Sequence, residues 1–378
     1  MKWRDGILLA LLIAFLLAGV VYADGRYRSA RIAESAAKFQ LLGTLRRSAL
    51  ASYFDTARAE VAFWSSSERI DAAMQALQSG WHALGDNPEA QVQSLYGSSQ
   101  TAAVQSGALE DASDGSAYSR AHAGLHMFAR EFVVERGYYD FFLIDMDGNI
   151  IYSVEKEADF GTNLLTGVYR NTGLADVFQQ ASASEVVGDV LFSDLQRYAP
   201  SADAPAIFAA TRLLNAASQP IGVLALQLPS DQIASIMRFT EGMGESGETY
   251  LVGEDFLMRS DSRFSDQSTI LVTKVETDTV RRALNGEHGI EYVPDYRGVP
   301  VLSAYDSIEF SDVRWAVMAE IDAEEIDKSV GSIRAALAAA AASLFALMLV
   351  TLAAVRDYTS SESAGLATTV HFDGVNGS

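Results

Sequence analysis

Cysteine is absent from the 378 residues, which removes disulfides, thiolate nucleophiles and Cys-ligated zinc from consideration in any compartment. Basic side chains are scarce as well: 28 Lys and Arg stand against 49 Asp and Glu, a formal charge of -21. Affinity for a polyanion rests on cations that displace its counterions, so this balance opposes a nucleic-acid partner. No nucleophile with its base, carboxylate pair or metal-ligand set can be assembled by spacing, so neither catalysis nor a cofactor is expected. What the chain does have is a 49% hydrophobic, 20% charged composition over a length that can bury a sizeable core in two or three domains.

Charge is missing altogether from two runs. Residues 6–23 (GILLALLIAFLLAGVVYA) follow Lys2 and Arg4 and suit a short span or a signal peptide; VVYADG is a weak cleavage site, so an uncleaved anchor is favoured. Residues 335–355 (AALAAAAASLFALMLVTLAAV) lie between Arg334 and Arg356 and are long enough to cross a membrane, the alternative being a buried Ala-rich helix. Basic residues flank both runs on both sides, which weakens the positive-inside signal. The expected topology puts both termini in the cytoplasm and everything between the spans outside a bacterial inner membrane, in the periplasm. The Ala-rich run also permits close helix contact and a homodimer.

Between the runs, apolar residues over the stretch from Arg26 to about Trp64, Phe39 to Trp64 among them, recur at helical spacing without a proline, predicting a long amphipathic helix leaving the membrane. Helices follow at 67–84 and 118–136, separated by the GDNP breaker at 85–88 and a small, polar loop at 97–117. Period-two patterning then takes over: YYDFFLIDMDGNIIYSV reads as two strands joined at Asp147-Gly148. A helix at 173–183 and strands at 186–193, 206–214 and 220–228 complete one antiparallel unit. A helix at 230–240 leads to a second unit: the hairpin ETYLVGEDFLMRSDS, a helix at 278–284, and strands near 289–294, 299–305 and 314–320. Asp322 and Glu325 form a capping pair for a last helix running unbroken into the second span.

This duplicated layout resembles the double Cache sensory regions of bacterial chemoreceptors, sensor kinases and membrane nucleotide cyclases. The resemblance covers roughly 26–325 and is carried by RGYYDFFLIDMDGNIIYSV, FGTNLLTGVYR, YAPSADAPAIFAA with IGVLALQLP, and GMGESGETYLVGEDFLMRSDSR with YRGVPVLSAYDSIEF. It implies an α+β fold in which a long N-terminal helix precedes two PAS-like antiparallel-sheet units, flanked by two transmembrane helices. The expected divisions are span 6–23, helical stalk 24–136, membrane-distal unit 137–229, membrane-proximal unit 230–325, span 335–355 and cytoplasmic tail 356–378. The resemblance further implies that the distal unit holds a small ligand and the proximal unit relays its occupancy.

Many amino-acid-binding members carry an aromatic-x-Asp, matched here by Phe192-Ser193-Asp194, an Arg-x-Trp-Tyr element, which VYRNTGLADVF lacks, and a final Asp, where Gln227 stands. A missing carboxylate removes the partner of an ammonium group, so a generic amino acid is a doubtful ligand. Strand alternation places Asp140 and Phe142 on one face, where Tyr169, Arg170, Asp194, Tyr198, Phe208 and Gln227 are the candidate lining residues. The alternatives are aromatic core packing and a surface ion pair for Arg170. The tail is too short for a kinase, cyclase or methyl-accepting coiled coil, so a separate cytoplasmic output protein or a truncated receptor is expected; a periplasmic scaffold or adhesion module is the rival class.

Three motifs are set aside. Gly242-Met243-Gly244-Glu245-Ser246-Gly247 fits a dinucleotide fingerprint, but helix precedes it and strand follows, so it reads as a turn. His122 and His126, four apart, lack a third metal ligand and read as surface or packing histidines. Asp145, Asp147 and Asn149 are out of register with a calcium loop and belong to the hairpin.

Overall fold

The computed structural model describes residues 3–97 and 106–369. The architecture is α+β, with a long N-terminal helix, two antiparallel sheets and a second apolar helix near the C-terminus. In order, the helical part is α1 (Trp3–Ser65), α2 (Glu68–Ala83), α3 (Pro88–Tyr96) and α4 (Ala117–Arg136). The first sheet unit is β1 (Asp140–Ile144), β2 (Ile150–Ser153), α5 (Gly173–Ala183), β3 (Leu191–Phe192), β4 (Gln196–Tyr198), β5 (Ala204–Leu214) and β6 (Pro220–Pro229). After α6 (Ser230–Met237) come β7 (Glu248–Val252), α7 (Asp278–Leu284), β8 (Gly289–Pro294), β9 (Pro300–Phe310), β10 (Val313–Asp322) and α8 (Ala323–Thr369).

Contacts divide the chain into Phe39–Ile321 and a second unit made of Met1–Lys38 with Asp322–Ser378. In the second unit, Arg28 pairs with Asp327 at 3.0 Å and Arg334 with Asp24 at 2.6 Å. Such exposed pairs add little stability, but they set the two helices beside each other next to their apolar stretches. Both stretches are long and apolar enough to cross a membrane, the second spanning Arg334–Val355, and none of either is buried in protein. Large side chains such as Phe15 and Leu347 point outwards, as lipid contact requires. The helix begun after Asp322 continues through the span to Thr369, further than the sequence pattern indicated; the rest of the tail lies outside the described residues.

In the larger unit the first sheet has the order β2-β1-β6-β5-β3, with β4 pairing β5. Its register sets Asp140 opposite Gln227, and Gln227 opposite Phe208. Directly opposed residues share a face, so Asp140, Phe142, Gln227 and Phe208 point one way, and Phe141, Leu143, Leu226 and Ala209 the other. The second face packs on helices: Phe141 meets Trp64 of α1 at 5.9 Å and Phe132 of α4 at 6.4 Å, each near edge-on. Helix α5 covers the first face, where a Cβ on Gly173 would press on Phe208. With both faces covered, every residue of β1 and β2 is buried.

The second sheet has the order β7-β10-β9-β8. One face, with Leu251, Trp315 and Val317, joins the main core; the other, with Tyr250, Val252, Met318 and Tyr305, forms a small core of its own with Val280 and Ala283 of α7. Phe54 of α1 stacks on Phe310 at 3.9 Å and meets Phe192 and Trp315 edge-on at 5.7 and 5.9 Å, so one aromatic group joins α1 to both sheets.

The structure corrects several boundaries. The GDNP stretch is a breaker and a starter at once: Asn87 caps α3 by accepting from Ala90 N, with Pro88 in its first turn. Strand 186–193 shrinks to Leu191–Phe192, because residues 186–189 turn through Gly188, and a further short strand, β4, pairs with β5. The second arm of the 248–262 hairpin makes only isolated bridges, Val252 with Met258 and Leu257 with Lys274. Gly242 and Gly244 adopt φ of 82° and 77° between α6 and β7, which is a turn and not a phosphate cradle. Part of the loop read at 97–117 lies outside the described residues; of the rest, Ser106–Ala108 form a 3-10 turn.

Candidate functional site

The first face of the first sheet carries an unusual density of buried polar groups. Asp140, at the start of β1, accepts from Ser153 Oγ at 2.6 Å and from the amides of Phe141, Val154 and Glu155. Burial still pushes its carboxyl well above the ordinary carboxylate range, against the Ser153 bond and with the charge of Asp159 adding to the rise. Asp159 lies in the connection after β2 and accepts from Tyr198 OH at 2.5 Å. Burial raises it to about 6, opposed by that bond.

Tyr198 stands edge-on to Phe208 at 4.8 Å, and Phe208 is 6.3 Å from Phe142. Gln227 donates through Nε2 to Ser201 Oγ at 3.1 Å, Ser201 donates to Glu157 at 2.6 Å, and Tyr139 donates to the other oxygen of Glu157 at 2.6 Å. Among the described residues, two acceptors in this group have no partner: Asp159 Oδ1 and Gln227 Oε1, on residues 1% and 2% exposed. A buried polar atom left unpaired costs about 1–3 kcal/mol, so both oxygens call for an N–H or O–H donor, which an ordered water or a ligand supplies.

Of the residues named from sequence, Asp140, Phe142, Tyr198, Phe208 and Gln227 meet here. Tyr169 is half-buried at the edge of the same group, with burial and the charges of Asp159 and Glu157 raising its hydroxyl. Arg170 is exposed and bonds only Gly167 O at 3.1 Å among the described hydrogen bonds. Phe192 points to the opposite face, into the aromatic group around Phe54. Asp194 has partners within the chain: Arg259 approaches both its oxygens, at 3.1 and 2.6 Å, and Trp315 Nε1 donates at 2.8 Å. Sequence reasoning missed Asp159, Ser153, Ser201 and Glu157. Asp159 sits among other acids in EKEADFG with nothing in the pattern to mark it as buried.

His122 and His126 are both fully buried on α4, their rings stacked at 4.8 Å. His126 contacts Tyr152 OH at 2.9 Å, Gly107 O at 3.0 Å and Lys156 Nζ at 3.3 Å. Burial holds His126 down to about 4 and Lys156 to about 7. These are packing histidines. Among the described residues no three His, Cys, Asp or Glu converge as a metal site.

No protein-family model matches the chain, and no curated protein matches it. Solved structures do. The extracellular domain of a candidate histidine kinase, vpHK1S-Z8, is similar over 80% of this chain and 96% of its own, with TM-score 0.49 and 10% identity. A domain of a candidate sensory box/GGDEF family protein from Vibrio parahaemolyticus is similar over 79% and 99%, with TM-score 0.48 and 9% identity. The ligand-binding domain of the Pseudomonas fluorescens chemoreceptor CtaA, in complex with L-serine, covers 67% of this chain and 99% of its own at TM-score 0.38 and 13% identity. Likeness at this level transfers no residue roles.

Proposed function

We propose that the chain is a membrane-anchored extracytoplasmic receptor whose first sheet unit, residues 137–229, binds a small molecule that donates hydrogen bonds. The supporting observation is the pair of orphaned acceptors, Asp159 Oδ1 and Gln227 Oε1, in a buried group walled by Phe142, Tyr198 and Phe208. An apolar, aromatic wall with a few fixed polar atoms is the composition of small-molecule sites. The lone pairs of these atoms can be met by an ammonium, a hydroxyl or an amide of the ligand, and Asp159, ionised above about pH 6, favours a cation over an anion. No enzymatic role is proposed.

In this reading, residues 6–23 and 335–355 cross a bacterial inner membrane, the 24–136 stalk and both sheet units stand in the periplasm, 230–325 relays occupancy, and the chain works as a homodimer with a separate cytoplasmic output protein. The relay has a physical carrier in the Phe54 aromatic group and the Asp194–Arg259 pair, which tie α1 and the first sheet to the second. A ligand moves such a carrier only through different affinities for two states.

The rival reading, a ligand-free scaffold, draws on the near-complete burial of Phe142, Tyr198 and Phe208. Orphaned atoms also occur in packed parts of the chain, as at His122 Nε2 and Ser119 Oγ, so binding itself has to decide between the two readings. Thermal unfolding of the full chain in detergent, against libraries of amines, polyols, amides and carboxylates, separates the two. A midpoint raised by a donor-bearing compound, and no longer raised in Asp159→Asn and Gln227→Leu, supports the receptor. A folded chain indifferent to every class supports the scaffold.

A further inference from the structure

The two sheets repeat each other at the level of single register positions. In the first, Asp140 opens β1 and lies opposite Gln227 of β6; in the second, Glu248 opens β7 and lies opposite Glu320 of β10. A serine serves each opening acid: Ser153 Oγ bonds Asp140 and Ser262 Oγ bonds Glu248, at 2.6 and 2.5 Å. The second sheet therefore has its own polar group at the address of the first.

Its chemistry differs. Every carboxylate oxygen of the second pair already has a donor: Glu248 accepts from Ser262, Arg263 N and Tyr296 OH, and Glu320 from Ser303 Oγ at 2.6 Å and Tyr250 OH at 2.9 Å. No orphan invites a ligand. Yet both glutamates are 3% exposed, face each other across adjacent strands, and accept no hydrogen bond from a basic side chain among the described residues. Two carboxylates placed at opposed register positions of a low-dielectric interior are each costly to ionise, and a proton on either is the smallest ligand that relieves them.

We propose that Glu248 and Glu320 form a proton-binding site in the second sheet, through which extracytoplasmic pH acts on the strand that leads directly into α8. This stands independently of the ligand reading of the first sheet.

The charged surroundings favour uptake. Asp295, in the β8–β9 turn, adds to the proton affinity of Glu320, while Arg297 of the same turn bonds Asp295 and its charge lowers the proton affinity of Glu248. Arg263 reaches Glu248 through its backbone amide and sends its guanidinium to Gly247 O. On α7, Thr279 faces the group, and Arg281 and Arg282 are held by Glu276 and by Glu287 with Glu291. Tyr250 and Tyr296 are donors whose hydroxyls burial keeps protonated. Burial lifts Glu320 to about 7 and raises Glu248. A cleft of about 370 Å³ lined by Glu248 and Ser262, with Asp266 and with Arg238 paired to Asp261 at 3.2 Å on its wall, opens the site to solvent protons.

The sign follows from linkage. A carboxyl whose folded affinity for protons is raised gives stability that is complete below the unfolded value, 4.5, and is lost as pH rises through about 7. The test uses the full chain in lipid nanodiscs and reads the infrared carbonyl stretch of protonated carboxyls together with hydrogen exchange in β7 and β10. A carboxyl band that titrates near neutrality and is lost in Glu320→Gln is expected, with intrinsic-rate-corrected exchange rising up to about tenfold per pH unit through that window in the wild type and flat in the variant. Glu248→Gln, which keeps the polar shape and removes the repulsion, is expected to shift the band to lower pH. A band absent at low pH, or one unchanged by both variants, overturns the proposal, as does exchange that is flat in the wild type.

Discussion

Asp194 and Arg259 hold each other by both ends, the guanidinium Nε at 3.1 Å from one carboxylate oxygen and Nη2 at 2.6 Å from the other. Arg259 is 2% exposed in its side chain and Asp194 31%, so the pair joins a buried cation of the second sheet unit to a half-buried anion of the first. Asp255 meets the remaining nitrogen at 2.9 Å but is 48% exposed. Removing Asp194 therefore strands most of a buried charge, and removing Asp255 does not. Asp194→Asn is expected to lower unfolding stability by about 3 kcal/mol and Asp255→Asn by less than about 1 kcal/mol, read from urea denaturation of the detergent-solubilised chain. Equal losses would show that the pair is not the main tie.

Gln227→Leu separates stability from binding. It removes a buried acceptor that has no partner but also the Nε2 bond to Ser201 Oγ, so the unliganded protein is expected to change in stability by less than about 1 kcal/mol while losing any ligand-induced rise in its melting temperature. A destabilised variant that still responds to ligand would place the ligand elsewhere.

The pH dependence of the first sheet is expected to carry Asp159. Its carboxyl, raised to about 6 from 3.8, contributes stability that is full below about 4 and fades as pH rises through 6. His126, lowered to about 4, works in the other direction, losing its contribution as pH falls from 6.5 towards 4. The wild type is therefore best compared with Asp159→Asn at each pH. The stability difference between the two is expected to move against the wild type from pH 4 to 6, and a cationic ligand is expected to bind more tightly over the same rise.

Phe54→Ala removes the ring that joins α1 to both sheets. Loss of about 3–5 kcal/mol is expected, together with loss of the near-ultraviolet circular dichroism of Trp315, which packs against that ring at 5.9 Å.

Elements with a clean period were legible in the sequence. The 173–183 and 278–284 helices and the 289–294 strand match α5, α7 and β8, because each has a cap or a turn residue at its ends and one consistent pattern between them. Misreadings fall where a local signal has a second use: Asn87 in the GDNP breaker also starts α3, and Met258 looks like a strand residue but makes a single bridge. The same holds at the site. Alternation brings Asp140, Phe142 and, across the register, Gln227 and Phe208 to one face, since a period of two is local information. Asp159 and the engagement of Asp194 by Arg259 depend on loops folding back over a sheet, and no spacing rule encodes that.

The aromatic group around Phe54 also sets an order of events in folding. Helix α1 emerges from the ribosome first, yet the rings that cover Phe54, those of Phe310 and Trp315, are made almost at the end of the sheet region. Contacts so distant along the chain close slowly, because loop entropy opposes them until both sheets are in place. Until then Phe54, Leu50 and Val61, all buried in the finished protein, stay open to other chains. A kinetic prediction follows from the geometry alone: assembly of the second sheet against α1 is the late step, and a holdase that shields α1 raises the yield of folded protein.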